Sequence, residues 1–164
     1  MALISNIGAG IFTSLKFKAD NNFTLPTNDT THQAFIASSG DFNGSTAVTN
    51  VREFPSFGKP ANIVNVPSYG QSVSSQIQGQ SDAPTMEFTV NYVPGSHNAI
   101  QALVQDGNTY VYQIDVKNAE TGDNAAFYVK GQFASFEVSP NLTDSNQATI
   151  TMSTQGDYVG PFTD

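Results

Sequence analysis

Apolar and polar residues alternate with a period of two along much of this chain. In Thr85–Val93, Met86, Phe88, Val90 and Tyr92 share one parity, and Thr85, Glu87, Thr89 and Asn91 the other. Successive strand side chains point to opposite sheet faces, so the pattern predicts a strand with one core face and one polar face. Asn108–Lys117 repeats it, with Tyr110, Tyr112, Ile114 and Val116 set against Thr109, Val111, Gln113 and Asp115. Gln147–Thr154 does the same with Ala148, Ile150 and Met152. Ile11–Lys18 and Val48–Phe54 read as further strands, and Ile63–Val66 as a shorter one. Ala125–Ser139 is longer. Its apolar parity changes between Phe127/Val129 and Phe136/Val138, and Gly131 marks a bulge or bend near the change.

One segment has helical spacing. After Pro94-Gly95, with Ser96 or Asn98 as N-cap, Ala99, Ile100, Leu103 and Val104 form an apolar stripe. Gly107 is placed to end it in a left-handed conformation. Two stretches are turn-rich. Asp20–Asn50 includes a tight turn at Asp41-Phe42-Asn43-Gly44. In Pro67–Pro84, Val73, Ser75 and Ile77 alternate with Ser74 and Gln76, which predicts either a mobile loop or a hairpin that orders against a partner. No fixed-period repeat and no linker divides residues 1–164. The expectation is one mainly β domain: an antiparallel sandwich or barrel with one short flanking helix and long polar loops.

Composition narrows the function classes. A chain of 164 residues is long enough to bury roughly 70% of its unfolded surface without staples. It contains no cysteine, which excludes disulfides and thiolate metal sites. Six Lys+Arg against 14 Asp+Glu give a net charge of −8, the wrong sign for gripping phosphates. Only 12% of residues are charged, about half the usual share, so Ser, Thr, Asn and Gln carry the polarity. No apolar run reaches the roughly 18 to 20 residues that span a bilayer. The start Met1-Ala-Leu-Ile-Ser-Asn-Ile lacks a basic n-region, so no signal peptide or membrane partner is expected, and synthesis in a cytoplasm is.

Candidate chemistry is sparse. The histidines His32 and His97 lie in the polar loop and at the helix start. A triad needs a nucleophile, an imidazole and an orienting carboxylate; Ser96 beside His97 is adjacency in sequence, which does not supply that geometry, and the G-x-S-x-G elbow is absent. His97 is expected on the surface. Asp106, Asp115, Glu120 and Asp123 read as solvated turn and strand acids. Asp41-x-Asn43-x-Ser45 opens like a calcium loop, but Thr46 and Arg52 stand where the glycine and bidentate glutamate belong. N-x-S/T triplets at Asn22, Asn28, Asn43 and Asn141 are expected by chance in such a composition. Lys16 and Lys18 read as edge or interface charges. No enzyme activity, cofactor or metal is expected.

The order of segments from Gly79 onward carries a resemblance. Gly79-Gln80-Ser81-Asp82-Ala83-Pro84-Thr85 leads into the strand Met86–Val93. Pro94-Gly95, the helix Asn98–Val104, Asp106-Gly107-Asn108-Thr109 and the strand Tyr110–Val116 follow. Gly8-Ala9-Gly10 before Ile11–Lys18, Val51-Arg52-Glu53-Phe54-Pro55 and the last strand Ala148–Thr154 extend it over most of the chain. This resembles the major tail tube proteins of long, non-contractile-tailed, lambda-like bacteriophages. The strength lies in order and spacing, and the match is weakest over Asp20–Asn50. The resemblance implies a virion protein assembled in a bacterial host cytoplasm. Hexameric rings, each copy lending strands to one inner barrel, would stack into a hollow tail tube. Its partners would be further copies of itself, a tape measure protein, and tail terminator and tail tip proteins, with DNA passing through the lumen unbound. The Pro67–Pro84 loop would reach a neighbouring subunit or ring through Ser68, Tyr69, Gln71, Val73, Ile77 and Gln80. Glu87 or Asp115 is expected to face the lumen, where negative charge repels phosphate. Some members add an immunoglobulin-like C-terminal domain; none is expected here.

Other classes compete. A carbohydrate- or ligand-binding β-sandwich would use Tyr110, Tyr112 or Tyr128 as stacking platforms. A type VI secretion-like tube protein would share the ring. A small hydrolase would need a cleft acid of raised pKa.

Overall fold

The computed structural model describes residues 13–58, 62–80, 83, 85–117 and 124–163. The Gly8–Gly10 start, Ile11, Glu120 and Asp123 lie outside the described residues. The elements in chain order are β1 (Ser14–Ala19), α1 (Asp29–Ile36), β2 (Thr46–Val48), β3 (Val51–Glu53), β4 (Ile63–Val66) and β5 (Ser75–Gln78). Then come β6 (Thr85–Asn91), α2 (Pro94–Leu103), β7 (Tyr110–Lys117), β8 (Asn124–Ser139), β9 (Gln147–Thr154) and β10 (Val159–Phe162).

An eight-stranded sheet runs β2-β1-β7-β8-β9-β6-β3, with β10 beside β8. Every pairing in it is antiparallel. Its terminal strands, β2 and β3, are joined through Thr49 and Asn50 alone, with Asn50 at φ 57°. The two ends of the path are thus drawn together, and the sheet is a nearly closed barrel. The alternation works as the period dictates. Phe88, Ile150 and Phe136 form one cross-strand row inside, and Met86, Met152 and Phe133 another.

The sixteen-residue β8 serves both halves of the barrel. Residues 124–131 pair with β7 and residues 131–139 with β9. The parity change is a register shift between Phe133 and Ser135, two residues beyond the expected position. The extra residue lets Val129, Phe133 and Phe136 face one core. Gly131 has a different job: a Cβ there would collide with the Ser153 carbonyl oxygen, so only glycine allows β9 so close.

The main core lies inside the barrel, and a second cluster covers the outside of β7 and β8. Here the structure corrects two expectations. Asp20–Asn50 contains a helix, α1, so the barrel has two flanking helices. The Asn28 side chain accepts from the Thr31 N–H, and the Thr31 hydroxyl oxygen accepts from the Asn28 N–H, a reciprocal cap. The face of β7 expected to be polar is buried beneath it: Val111 is 0% and Gln113 7% exposed. Phe35 from α1, Phe42 from the following turn, Phe162 from β10 and Tyr128 close this layer.

The second helix starts earlier than its polar residues suggest. Val93 is the N-cap, and Pro94 occupies the first turn, where its missing N–H costs nothing. The helix ends at Leu103, and both Gln105 and Gly107 then adopt positive φ.

Candidate functional site

Both histidines are fully buried, and both are engaged by the fold. His97 is therefore not on the surface as expected. Its Nδ1 accepts the Val93 N–H at 3.0 Å, capping α2 from within. A ring nitrogen that accepts leaves the hydrogen on the other, so Nε2 donates to the Thr49 carbonyl at 2.9 Å. The Tyr128 hydroxyl lies 3.1 Å from His32 Nδ1 and accepts from Gln113 Nε2 at 2.9 Å, joining α1 to the sheet. Among the described residues no three His, Cys, Asp or Glu side chains gather as a metal site.

The tyrosines offered as stacking platforms point inward. Tyr110, Tyr112 and Tyr128 are 5%, 1% and 0% exposed, so none presents a ring face to a sugar. The Tyr110 hydroxyl donates to Asp106 Oδ2 at 2.6 Å. Burial, then that bond, pushes the Tyr110 phenol up to about 12. Burial drives the Tyr112 phenol up as well. The Tyr110 bond is the first cause holding the Asp106 carboxyl below its ordinary value. Two open hollows flank α1. One of about 420 Å³ is lined by Leu25, Pro26, Ala34 and Phe35. The other, about 300 Å³, contains Lys16, Gln113, Asp115 and Asn124.

Two outward surfaces remain. The first is the β4–β5 hairpin, which among the described residues pairs only with itself. The expected loop residues sit on it or beside it: Ser68, Tyr69 and Gln71 in the connection, Val73 before β5, Ile77 within it and Gln80 after it. All are exposed. Register places Val64 opposite Ile77 and Val66 opposite Ser75 on one face, and Asn65 opposite Gln76 on the other. Val73 lies two residues before β5, outside the paired strand. Val64, Val66, Val73 and Ile77 are 44%, 39%, 75% and 55% exposed, and Tyr69 is fully so. Residues 61–81 carry no charged side chain. The alternation was visible in sequence; the matching apolar face emerges only when β4 supplies the other strand.

The second surface is the outside of β8, β9, β6 and β3. Register forms the row Glu137–Thr149–Thr89–Glu53 and, next to it, Ser135–Thr151–Glu87. Glu53, Glu87 and Glu137 are exposed. Among the described residues of β3, β6, β9 and the part of β8 after Gly131, Arg52 is the only basic one, and it pairs with Asp144 at 3.3 Å. The two acids expected at a lumen are not together: Asp115 is half-buried in the hollow near α1, on the other half of the barrel.

No family model and no curated protein sequence matches the chain. Solved structures do. The SPP1 tail tube superposes with a TM-score of 0.62 at 13% identity, over 95% of this chain and 80% of that one. A chain of the anti-feeding prophage baseplate, a 6-fold symmetrised assembly, gives 0.58 at 10% identity over 92% of each chain. A chain from the tail of an empty GTA particle, refined with C6 helical symmetry, gives 0.51 at 14% identity over 93% and 98%. The described architecture, a nearly closed antiparallel barrel with flanking helices, thus shares its fold with the SPP1 tail tube.

Proposed function

We propose that this chain is a structural protomer that assembles with copies of itself into hexameric rings, stacked as the hollow tail tube of a bacteriophage. The observation that carries the reading is the β4–β5 hairpin. A lone two-stranded hairpin is marginal in water, yet this one exposes an apolar face of Val64, Val66 and Ile77, with Val73 also exposed just before β5. Exposed apolar surface of this kind marks an interaction site. Its partner is another copy: in a chain of net charge −8, an uncharged segment is where two copies meet with least repulsion.

In this reading Ser68, Tyr69, Gln71, Val73, Ile77 and Gln80 contact a neighbouring subunit or ring. The Thr-rich sheet face with Glu53, Glu87 and Glu137 lines the lumen. Thr, Ser and Gln side chains keep such a wall wet, and its carboxylates repel phosphate, so DNA slides without being held. The role is mechanical rather than catalytic. Tape measure, terminator and tip proteins are the further partners of such a tube. Hydrogen exchange tests the reading. Amides of Ile63–Gln78 should exchange quickly in the protomer and become protected on assembly. Equal exchange in both states contradicts it.

A further inference from the structure

Among the described residues, the outward acidic sheet has two edges that no strand covers. Tyr110 and Thr154 pair with Gly131 from opposite sides, so β7 and β9 lie on opposite edges of β8. Past Phe133, whose carbonyl accepts the Gln105 N–H at 3.2 Å, the β7-side edge of β8 enters no strand pairing among the described residues. At the other end, among the described residues, β3 pairs only with β6. The four strands alternate in direction, so β3 and β8 run opposite ways. A second copy can therefore set its β8 edge against β3 and continue the antiparallel order, a head-to-tail contact of the kind that closes rings.

Charge makes that junction conditional. In an unstaggered junction, where the row Glu137–Thr149–Thr89–Glu53 continues into the next copy, Glu137 of that copy stands opposite Glu53, and like charges directly opposed across strands are destabilising. The cation at hand is Arg52, the extra residue where the β3–β6 register shifts. In the single chain it holds Asp144 through one exposed contact of 3.3 Å, the kind of pair that is weak and easily exchanged. Bulges and charges on an edge strand are also the usual guards against uncontrolled pairing.

We propose that Arg52 gates ring closure. It binds Asp144 of its own chain in the free protomer, and turns to the Glu53–Glu137 pair when β3 receives the β8 edge of a second copy. The proposal rests on the ring reading above and adds to it the edges that meet and the charge that controls them.

Critical concentration for assembly, read by sedimentation and negative-stain microscopy, tests it with three variants of the full chain. Arg52→Gln leaves the two carboxylates unshielded and should raise the critical concentration, by about fivefold for a like-charge cross-strand pair. Adding Glu137→Gln removes the repulsion and should restore the wild-type value. Asp144→Asn frees Arg52 and should lower the critical concentration. A purely structural Arg52–Asp144 pair would make Arg52→Gln and Asp144→Asn move together, and that result overturns the gate. Thermal midpoints of the variants verify that each chain is folded. A wild type that forms no ring overturns the underlying reading. A wild type that forms rings whose critical concentration ignores all three changes overturns the gate alone.

Discussion

His97 Nε2 donates a 2.9 Å hydrogen bond to the carbonyl oxygen of Thr49, a residue 48 positions earlier. Thr49 lies in the two-residue link between β2 and β3, where the two ends of the barrel's strand path meet. The same ring accepts the Val93 N–H through Nδ1, so one side chain ties the start of α2 to the barrel's seam. Replacing it by alanine removes both bonds and leaves a cavity at a fully buried position. His97→Ala should cost about 3 kcal/mol in urea unfolding. A loss below about 0.5 kcal/mol, the scale of a surface change, would contradict this role.

Gly131 makes a sharper test of the strand that bridges the two halves. A methyl group there meets the Ser153 carbonyl, which is backbone and part of the β8–β9 ladder. Gly131→Ala should therefore destabilise by about 2 to 3 kcal/mol, as overpacking does. Gly95, in the first turn of α2, has open space around its Cβ position. Gly95→Ala should be neutral or stabilising by up to about 1 kcal/mol. Equal effects at the two glycines would mean that β9 does not approach β8 as described.

Alkaline pH should unfold the chain through its buried phenols. Burial raises both Tyr110, to about 12, and Tyr112. A phenol whose pKa rises on folding holds its proton more tightly in the folded chain. Its stabilising effect is complete below the unfolded value of about 10 and is lost as pH climbs through 12. Phenolate absorbance should show these two groups ionising late, together with loss of far-ultraviolet dichroism. Asp106→Ala removes the Tyr110 hydroxyl's acceptor and nearby charge, and should lower that group's midpoint. Tyr110 and Tyr112 ionising near pH 10 with the fold intact would contradict this.

The hairpin separates folding from assembly. Ile77 and Val64 face each other on its apolar side and belong to neither of the barrel's core clusters. Ile77→Glu should leave the unfolding midpoint nearly unchanged, as exposed substitutions do. The same change buries a charge at the contact, and sedimentation velocity should show no polymer at concentrations where the wild type assembles. Normal polymerisation by this variant would remove the hairpin from the interface.

Much of the barrel was legible because β6 and β9 each bury one parity. Met86, Phe88 and Val90 announce β6, and the matching residues of β9 sit opposite them. What stayed hidden was the second layer. The buried face of α1 is only His32 and Phe35, too short a stripe to stand out from its polar neighbours. Without α1, Val111 and Gln113 read as the solvent face of β7. The Asn28–Thr31 cap, followed by His32, Phe35 and Ile36 at helical spacing, was the available signal. His97 was misplaced for a related reason: its partners, Val93 N–H and the Thr49 carbonyl, are backbone groups, which leave no trace in side-chain pattern. The hairpin residues were legible as a group, since alternation without a covering partner suggests a docking element. Asp115 and Glu87 share a parity pattern in their strands, but which face is covered depends on a helix more than seventy residues upstream of β7.

Cryo-electron microscopy of the concentrated, purified chain tests the central claim most directly. The account predicts hollow tubes of uniform width built from stacked six-membered rings, with Ile63–Gln78 at a subunit contact and Glu87 on the inner wall. Particles that remain single protomers at every concentration, or a polymer that leaves the hairpin in solvent and Glu87 on its outer surface, would contradict it.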